Sequence, residues 1–305
     1  MTLRPSFKMV PPMAVTDAIL QSSTIAEDDH PVWDAATTYA SGARVILDHK
    51  IYLSNADSNL GNDPRNDTAQ TWWTPQKATN RWKPFDTYLA DQASQAESAE
   101  WVFAFGEVID SLTLLNMAAA TVQIAVTDPT AGEVYNQTYE LDDNRGISDI
   151  YDYFFGPFQR AESLAVTDLP LYSDASITVT LADPGGTVAL GQALFGQMEI
   201  LGTAQEDLIF GYESFSRKEP DAFGRVAVVP RDSLDTLNVE FITPRENDTY
   251  VKSRLKARGD LPTVYMVDTQ SGAGWHVVYG YVQSVTPSAQ LGQVTKFATE
   301  IQGLV

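Results

Sequence analysis

Hydrophobic and polar residues alternate over short runs along most of the chain, and these runs are rich in Val, Ile, Thr and Tyr. Alternation with a period of two predicts β-strands, because successive side chains of a strand point to opposite faces of a sheet. Apolar residues at helical spacing are scarce. The pattern therefore predicts a mainly β protein, with about ten strands after Trp101. The predicted strands include Ser111–Leu115, Val122–Val126, Val134–Leu141, Ser163–Val166, Ile177–Leu181 and Val188–Leu194.

Turn-forming residues separate the predicted strands. Asp183-Pro184-Gly185-Gly186 lies between two apolar runs and predicts a hairpin over Ile177–Leu194. Nearer the C-terminus, Val264–Val267 and His276–Val285 predict a second pair of strands. The segment Thr249–Arg258 predicts a basic helix that is closed by the glycine after it.

Changes in composition divide the chain into five segments. Residues 1–30 predict an N-terminal arm, and residues 31–76 form a compact block rich in Trp and Tyr. Residues 77–99 are polar and rich in Ala, Ser and Gln, which predicts a linker with a short helix at its end. The spacing of strands and turns in 100–202 predicts a β-sandwich or jelly roll. Residues 205–305 predict an α+β domain.

The chain is strongly acidic, with 40 Asp and Glu residues against 20 Lys and Arg residues and a net charge of −20. Such a surface repels a phosphate backbone, so we expect no nucleic-acid partner. The charge is uneven, because residues 101–200 contain 14 acidic and two basic residues.

The most apolar stretch, Met117–Val126, is too short for the about 20 residues that cross a bilayer, so we expect no membrane insertion. The N-terminus lacks the apolar core of a signal peptide.

Motifs that mark the common enzyme classes are absent from the sequence. It has no Gly-x-Ser-x-Gly elbow, no phosphate-binding or dinucleotide-binding glycine loop and no His-Glu-x-x-His. Without cysteine it has neither a thiolate nucleophile nor a disulfide.

The three histidines, His30, His49 and His276, fall in different segments and are expected to be surface or packing residues. The run 57–63 lacks the Gly and Glu positions of a calcium loop and predicts a turn. We therefore predict no enzymatic activity, no cofactor and no bound metal.

The block at 31–76 is the most informative segment, with three Trp and two Tyr between positions 33 and 73. A domain this small depends on a few large aromatic residues for its core. An exposed flat ring can also stack on the apolar C–H face of a pyranose, while neighbouring polar groups bind its hydroxyls. The residues leave both interpretations open.

The order of residues in this block is specific: Trp33, Tyr39, Gly42, Val45, Tyr52, a loop rich in Asn, Asp, Gly and Pro, and then Trp72-Trp73. In this order the block resembles small carbohydrate-binding modules of the chitin-binding type 3 kind, related to families five and twelve. The resemblance implies a three-stranded sheet with Val45 in the first strand and Tyr52 in the second.

The same resemblance implies a set of aromatic residues that bind carbohydrate. They are Trp33, Tyr39, Tyr52, Trp72 and Trp73. It also implies that Trp72 or Trp73 closes the fold. Modules of this kind usually serve secreted enzymes, whereas this chain has no secretion signal and no cysteine.

Related modules recur near the N-termini of virion proteins of tailed bacteriophages, and the chain resembles these proteins in its layout of arm, aromatic module, β-rich middle and further domain. The likeness implies a structural tail-tip or baseplate protein, located in the virion and assembled in the host cytoplasm. It also implies a galactose-binding-like jelly roll at 100–202 and an attachment domain at 205–305. The expected partners are other tail or baseplate proteins, further copies of the chain and host surface polysaccharide.

Two other functions stay open at this point. The aromatic module can serve as a structural spacer that binds no sugar. Alternatively, the chain can be a polysaccharide-degrading enzyme whose module delivers a β-sandwich catalytic domain to its substrate. Release of reducing sugar ends would distinguish the enzyme from both binding and structural functions.

Overall fold

The computed structural model of the protein describes residues 6–142, 160–220, 226–268, 275–289 and 293–304. Within these ranges the protein is mainly β and consists of several antiparallel sheets, as the alternating pattern predicts. A closed barrel, a seven-stranded sheet and a small three-stranded sheet are the main units.

The described residues form twenty strands and one α-helix. In chain order these are β1 Phe7–Val10, β2 Leu20–Ser23, β3 Thr38–Tyr39, β4 Arg44–Leu47, β5 Lys50–Ser54, β6 Asn59–Leu60, β7 Trp73–Ala78, β8 Ala93–Ala104, β9 Ser111–Ala118, β10 Thr121–Asp128, β11 Gly132–Glu140, β12 Ser163–Val166, β13 Ser176–Gly196, β14 Glu199–Ser214, β15 Arg217–Pro220, β16 Val226–Val229, β17 Ser233–Pro244, α1 Asp248–Ala257, β18 Thr263–Asp268, β19 Trp275–Ala289 and β20 Val294–Gly303. Short 3₁₀ helices lie at Pro64–Asn66, Lys83–Phe85 and Arg245–Asn247.

The barrel has six strands in the order β1, β14, β17, β20, β19 and β18. Strand β1 closes it, because β1 pairs antiparallel with β14 on one side and with β18 on the other. Its core is a cluster of buried apolar residues from all six strands and from α1, which contributes Val251 and Leu255. The first strand of the chain is therefore part of the same core as the last hundred residues.

The prediction of an N-terminal arm over residues 1–30 is wrong for its described part. Besides β1 in the barrel, β2 pairs with β8 at one edge of the seven-stranded sheet. Phe7, Met9 and Val10 are completely buried. A four-residue strand with only three apolar residues carries no signal of a partner that lies almost 200 residues away, so the sequence pattern could not assign β1 to a barrel.

The seven-stranded sheet has the order β11, β10, β13, β8 and β2, and β9 joins β13 and also pairs with β12. Its interior contains Trp101, Phe103, Ile124, Leu181 and Phe195, each at most 1% exposed. Along β10, buried apolar residues alternate with more exposed ones. This is the period that the sequence predicts for Val122–Val126.

The predicted hairpin over Ile177–Leu194 is wrong, because this segment is one continuous strand within β13. Both halves of β13 pair with β8: Ala182 lies opposite Ser98, and Thr187 lies opposite Ala96. The four residues between them form a bulge, which the positive φ of Gly185 accommodates. Residues that favour a reversing turn also favour a bulge, and local sequence does not separate the two.

The prediction of a linker with a short helix at 77–99 is also wrong. Strand β7 continues to Ala78, and the segment that the composition assigned to a helix begins β8 at Ala93. Ala93 and Ala99 are buried in the core of the large sheet. Alanine is less common in strands than in helices. Burial against residues that are distant in sequence therefore decides its conformation here.

The predicted basic helix and the C-terminal strand pair are confirmed. Helix α1 covers Asp248–Ala257, within one residue of the prediction, and β18 pairs antiparallel with β19. Arg254 of α1 forms an ion pair with Glu199 at the start of β14, which ties the helix to the barrel wall. No helix among the described residues is long and apolar enough to cross a membrane.

Candidate functional site

The small sheet has the order β4, β5 and β7, and it positions most of the predicted aromatic residues. Tyr52 of the central strand lies opposite Val45 on one side and Pro75 on the other, and Ser54 lies opposite Trp73. Residues directly opposite each other in antiparallel strands share a face. Tyr52, Val45 and Trp73 are therefore on the same face of the sheet.

Trp73 is a core residue and not a sugar-stacking residue, which corrects the prediction. Its side chain is 1% exposed, and its indole N–H donates to the carbonyl oxygen of Asn62 at 2.8 Å. The ring of Tyr39 packs edge-on against it, with 5.2 Å between the ring centroids. The order of aromatic residues in the sequence does not distinguish the residue that closes a core from a residue on its surface.

Tyr39 is also held by the structure of its own loop. It is half-buried, and its hydroxyl oxygen accepts from the backbone N–H of Asp34 at 2.8 Å. This bond and the contact with Trp73 occupy both the hydroxyl and an edge of the ring. Tyr39 therefore contributes to the fold of the module, whereas the sequence also predicted it to bind carbohydrate.

The remaining predicted residues, Trp33, Tyr52 and Trp72, are half-buried, as Tyr39 is. The backbone N–H of Trp33 donates to Ile46, which places Trp33 beside β4 at one edge of the sheet. Tyr52 lies in the central strand, and Trp72 immediately precedes β7 at the other edge. From Trp33 across β4 and β5 to Trp72, the three residues are therefore spread over about 14 Å, which is three interstrand spacings.

Charged residues surround Tyr52, and sequence reasoning did not identify them. Arg65 forms an ion pair with Asp63 at 2.8 Å and lies 3.9 Å from Asp48, and its side chain is about half exposed. Partial burial raises the pKa of the Tyr52 hydroxyl, and the negative charges of Asp48 and Asp63 raise it further. The half-buried ring of Tyr52 provides an apolar face, and the neighbouring carboxylates and the guanidinium of Arg65 provide hydrogen-bond acceptors and donors.

The loop between β6 and β7 is held by Asp67. Its carboxylate accepts from three backbone N–H groups, those of Thr71, Trp72 and Trp73, at 3.0, 2.6 and 2.7 Å. Burial alone would raise the pKa of Asp67, but these three hydrogen bonds lower it below its usual range. Asp67 thereby fixes the backbone that carries both tryptophans.

We predict that Asp67→Ala destabilises the small sheet by about 1–3 kcal/mol, because hydrogen bonds to a charged carboxylate are stronger than neutral ones. The pKa of Asp67 is lowered by folding, so its contribution is present above the unfolded pKa of about 3.9 and is lost as the pH falls through the folded pKa. Urea unfolding followed by tryptophan fluorescence at several pH values measures both effects. Asp57→Ala is the matched control, because Asp57 accepts one N–H, from Ser41 at the surface; an equal loss in both variants would contradict the prediction.

His49 is a packing residue that connects the N-terminal segment to the small sheet. Its ring stacks on Trp82 with 4.0 Å between centroids, and its two nitrogens lie 2.9 Å from carboxylate oxygens of Asp17 and Glu27. Glu27 also accepts from the hydroxyl of Thr79 at 2.8 Å. Partial burial would lower the pKa of His49, but the hydrogen bonds and charges of the two carboxylates together raise it.

The raised pKa of His49 predicts a loss of stability at alkaline pH. The stabilisation by protonated His49 is fully present below the unfolded pKa of about 6.5 and disappears as the pH rises through the higher folded pKa. Thermal unfolding at about pH 5.5 and about pH 8.5 measures the difference, which we expect to be larger in the wild type than in His49→Gln. His30→Gln is the control and should behave like the wild type. Identical pH dependence in the wild type and His49→Gln would disprove this role.

The described residues contain no group of three or more His, Asp or Glu side chains placed to hold a metal ion. Comparison of the chain with protein-family models, curated proteins and solved structures found no match. The small sheet presents three half-buried aromatic rings, Trp33, Tyr52 and Trp72, and a cluster of charged groups beside Tyr52.

Proposed function

We propose that this protein is a non-enzymatic structural component of a bacteriophage tail tip or baseplate, and that its small sheet weakly binds host surface glycan. The observation that carries the glycan part is the set of half-buried rings Trp33, Tyr52 and Trp72, with Arg65 and two carboxylates beside Tyr52. The layout of the sequence supports the virion part. In this proposal the protein is assembled in the host cytoplasm and is part of the virion.

Glycan binding follows from the two chemical characters of this surface. The exposed part of each ring stacks on the C–H face of a pyranose, which removes apolar area from water. Asp48, Asp63 and Arg65 accept from and donate to the sugar hydroxyls near Tyr52. One such surface binds weakly, and several copies on one particle gain avidity because the later contacts form at high effective concentration.

An exposed apolar arm supports the structural part of the proposal. We define the arm as residues 208–234 in the described parts of β14, β15, β16 and the start of β17. Ile209 is 61% exposed and Tyr212 is 75% exposed, and three valines of β16 are more than half exposed. A surface patch of this kind is typical of contacts with other protein chains.

The apolar arm is also less acidic than the chain as a whole. Residues 208–234 contain four basic and four acidic residues, whereas residues 101–200 carry a net charge of −12. A neutral apolar surface is repelled less by a second acidic chain than the acidic surfaces are. The arm is therefore the surface through which we expect the protein to assemble.

The proposal also includes a specific fold or role for each of three segments of the chain. A galactose-binding-like jelly roll at 100–202 is supported by the antiparallel seven-stranded sheet and its continuous apolar core. A carbohydrate-binding fold at 31–76 is supported by the three-stranded sheet with Val45 and Tyr52 in adjacent strands. An attachment domain at 205–305 is supported by β17, β18, β19 and β20 of the barrel and by α1.

Retention on polysaccharide tests the glycan function. The full-length protein, displayed in many copies on beads, is incubated with host surface polysaccharide, and the bound fraction is measured for the wild type and for Trp33→Ala/Tyr52→Ala. We expect about thirtyfold lower affinity in the double variant, because two stacked rings at about 1 kcal/mol each contribute about 2 kcal/mol. Tyr172→Ala removes an exposed aromatic residue away from the small sheet and is the control.

Three outcomes would change the proposal. Wild-type protein that is not retained on any host polysaccharide would support the structural spacer instead. Equal retention of the wild type and the double variant would exclude the small sheet as the binding surface. Release of reducing sugar ends from the polysaccharide would favour the degrading enzyme and contradict the proposal.

A further inference from the structure

Residues 86–92, which we call the strap, lie between the second 3₁₀ helix and β8 and pack against the large sheet. The side chain of Asn116 donates to the carbonyl oxygen of Leu89 at 2.8 Å, and the side chain of Gln92 donates to the carbonyl oxygen of Asn116 at 2.9 Å. Leu89 also packs against an apolar cluster that the large sheet and the barrel share. A Cβ atom at Gly191 of β13 would lie 2.5 Å from the carbonyl oxygen of Leu89, so the strap touches β13 directly.

Asp86 begins the strap and contacts Gln192 of β13, which is completely buried. The amide N–H of Gln192 donates to Oδ1 of Asp86 at 3.2 Å, and the backbone N–H of Tyr88 donates to the same oxygen at 2.7 Å. The other carboxyl oxygen, Oδ2, and the amide oxygen of Gln192 are almost inaccessible to solvent and have no donor among the described residues. Buried polar atoms are almost always hydrogen-bonded, so these two oxygens indicate a missing donor.

A proton on Asp86 satisfies both oxygens at once. A neutral carboxyl group carries one O–H donor, whereas an ionised one only accepts. When Oδ2 carries the proton, it donates to the amide oxygen of Gln192, while Oδ1 still accepts from the amide N–H. The two side chains then form a cyclic pair with two hydrogen bonds. Ionised Asp86 instead leaves two buried acceptors without a donor, which is costly.

The surroundings of Asp86 on its own segment and on β13 favour the neutral form. Partial burial is the largest cause of a raised pKa of Asp86, and the negative charge of Asp91 raises it further. The hydrogen bonds from Tyr88 and Gln192 and the positive charge of Lys83 act in the opposite direction but do not cancel the rise. The net direction agrees with the pairing of the two side chains.

The barrel contributes two more ionisable groups to the cleft beside Asp86, Tyr279 of β19 and Arg258 after α1. Burial, Tyr281 and Asp86 together raise the pKa of Tyr279 to about 12, so its phenol stays neutral in the range where a carboxyl group titrates. The guanidinium of Arg258 keeps its charge throughout that range. Among the described residues that line this cleft, Asp86 is therefore the one whose charge changes.

We propose that the strap is a pH-sensitive clamp: neutral Asp86 fastens it to Gln192 of β13, and ionisation of Asp86 loosens it. The stabilisation is fully present below the unfolded pKa of aspartate, about 3.9, and is lost as the pH rises through the higher folded pKa. Loosening uncovers the part of β13 that carries Gly191 and Gln192. The clamp goes beyond the proposed function and depends neither on glycan binding nor on assembly into a virion.

Hydrogen exchange of the full-length protein, measured by mass spectrometry between about pH 4 and about pH 8 and corrected for the intrinsic exchange rate, tests the clamp. Asp86→Asn is the decisive variant, because its amide N–H can donate to the oxygen of Gln192 at every pH while its oxygen still accepts. Asp91→Asn is the matched control. It makes the same change of carboxylate to amide within the strap and keeps the pair of Asp86 and Gln192.

We expect the protection of residues 86–92 in the wild type to fall by about tenfold as the pH rises, because ionisation leaves buried acceptors unpaired. In Asp86→Asn the protection should stay at the acidic wild-type level over the whole range. In Asp91→Asn the fall should persist and move to lower pH, because the charge of Asp91 is one cause of the raised pKa of Asp86.

Three results would overturn the clamp. The first is wild-type protection of the strap that stays constant or increases as the pH rises. The second is an equal fall in the wild type and Asp86→Asn, which would assign the pH dependence to another group. The third is weaker protection in Asp86→Asn than in the wild type at about pH 8, or failure of this variant to fold. Either form of the third result is expected if a buried water donates to both oxygens and the strap requires the ionised carboxylate.

Discussion

Phe7→Ala is expected to destabilise the protein by about 3–5 kcal/mol, the usual cost of deleting a buried phenyl ring. Phe7 is completely buried, and its ring lies 4.9 Å from that of Phe241 and 6.3 Å from that of Tyr265. Because β1 is the strand that closes the barrel, the loss affects packing against both of its neighbours. Urea unfolding monitored by circular dichroism measures the change in the free energy of unfolding.

Phe215→Ala is the matched control for this prediction. Phe215 is 44% exposed and lies in the apolar arm, so its removal should change the stability of the isolated chain by about 0.5 kcal/mol or less. Equal and small effects of both substitutions would mean that residues 7–10 are a dispensable arm. That result would contradict the closed barrel.

Trp73→Ala is expected to unfold the small sheet, with a loss of about 3–5 kcal/mol in its local stability. The small sheet buries little surface, and Trp73 is its largest buried side chain. The substitution removes the edge contact with Tyr39 and the hydrogen bond to Asn62. Hydrogen exchange measured by mass spectrometry should show loss of protection confined to β4, β5 and β7.

Neighbouring tryptophans separate folding from binding. Trp73→Phe keeps an aromatic ring and loses the indole N–H, so we expect a smaller loss of about 1–2 kcal/mol. Trp72→Ala removes a half-buried ring outside the core of the sheet. It should leave hydrogen exchange in the sheet nearly unchanged and lower the retention of the protein on polysaccharide. If Trp72→Ala unfolds the sheet and Trp73→Ala does not, the assignment of the buried and exposed tryptophans is reversed.

The sequence predicts those parts of the fold that depend on local periodicity. The alternation in β10, the helix α1 and the pairing of β18 with β19 all agree with the structure. Each of these depends on residues close together in the chain, where the side-chain period and the turn residues carry the information. The three strands of the small sheet also lie within 35 residues of sequence, but the resemblance of the aromatic block, and not periodicity, led to the expectation of this sheet.

The features that the sequence did not predict depend on distant contacts. Strand β1 is short and takes its partners from β14 and β18, and the bulge in β13 is defined only by its pairing with β8. At the candidate site, the aromatic residues stand out in the sequence. Whether Trp72 or Trp73 is the buried one depends on tertiary packing, which buries Trp73 and leaves Trp72 half-buried. The charged residues near Tyr52 come from two separate segments, the hairpin turn at Asp48 and the loop at 63–65. The sequence does not indicate that these two segments lie close together.

Electron microscopy of the purified protein, alone and with the particles that co-purify from a lysate, tests the central claim most directly. We expect rings of the protein or its attachment to tail tips. Tyr212→Asp/Val228→Asp places charges on the exposed apolar arm and should abolish the assembly, while the monomer stays folded. Dispersed monomers of the wild type that associate with no particle would contradict a role as a tail component.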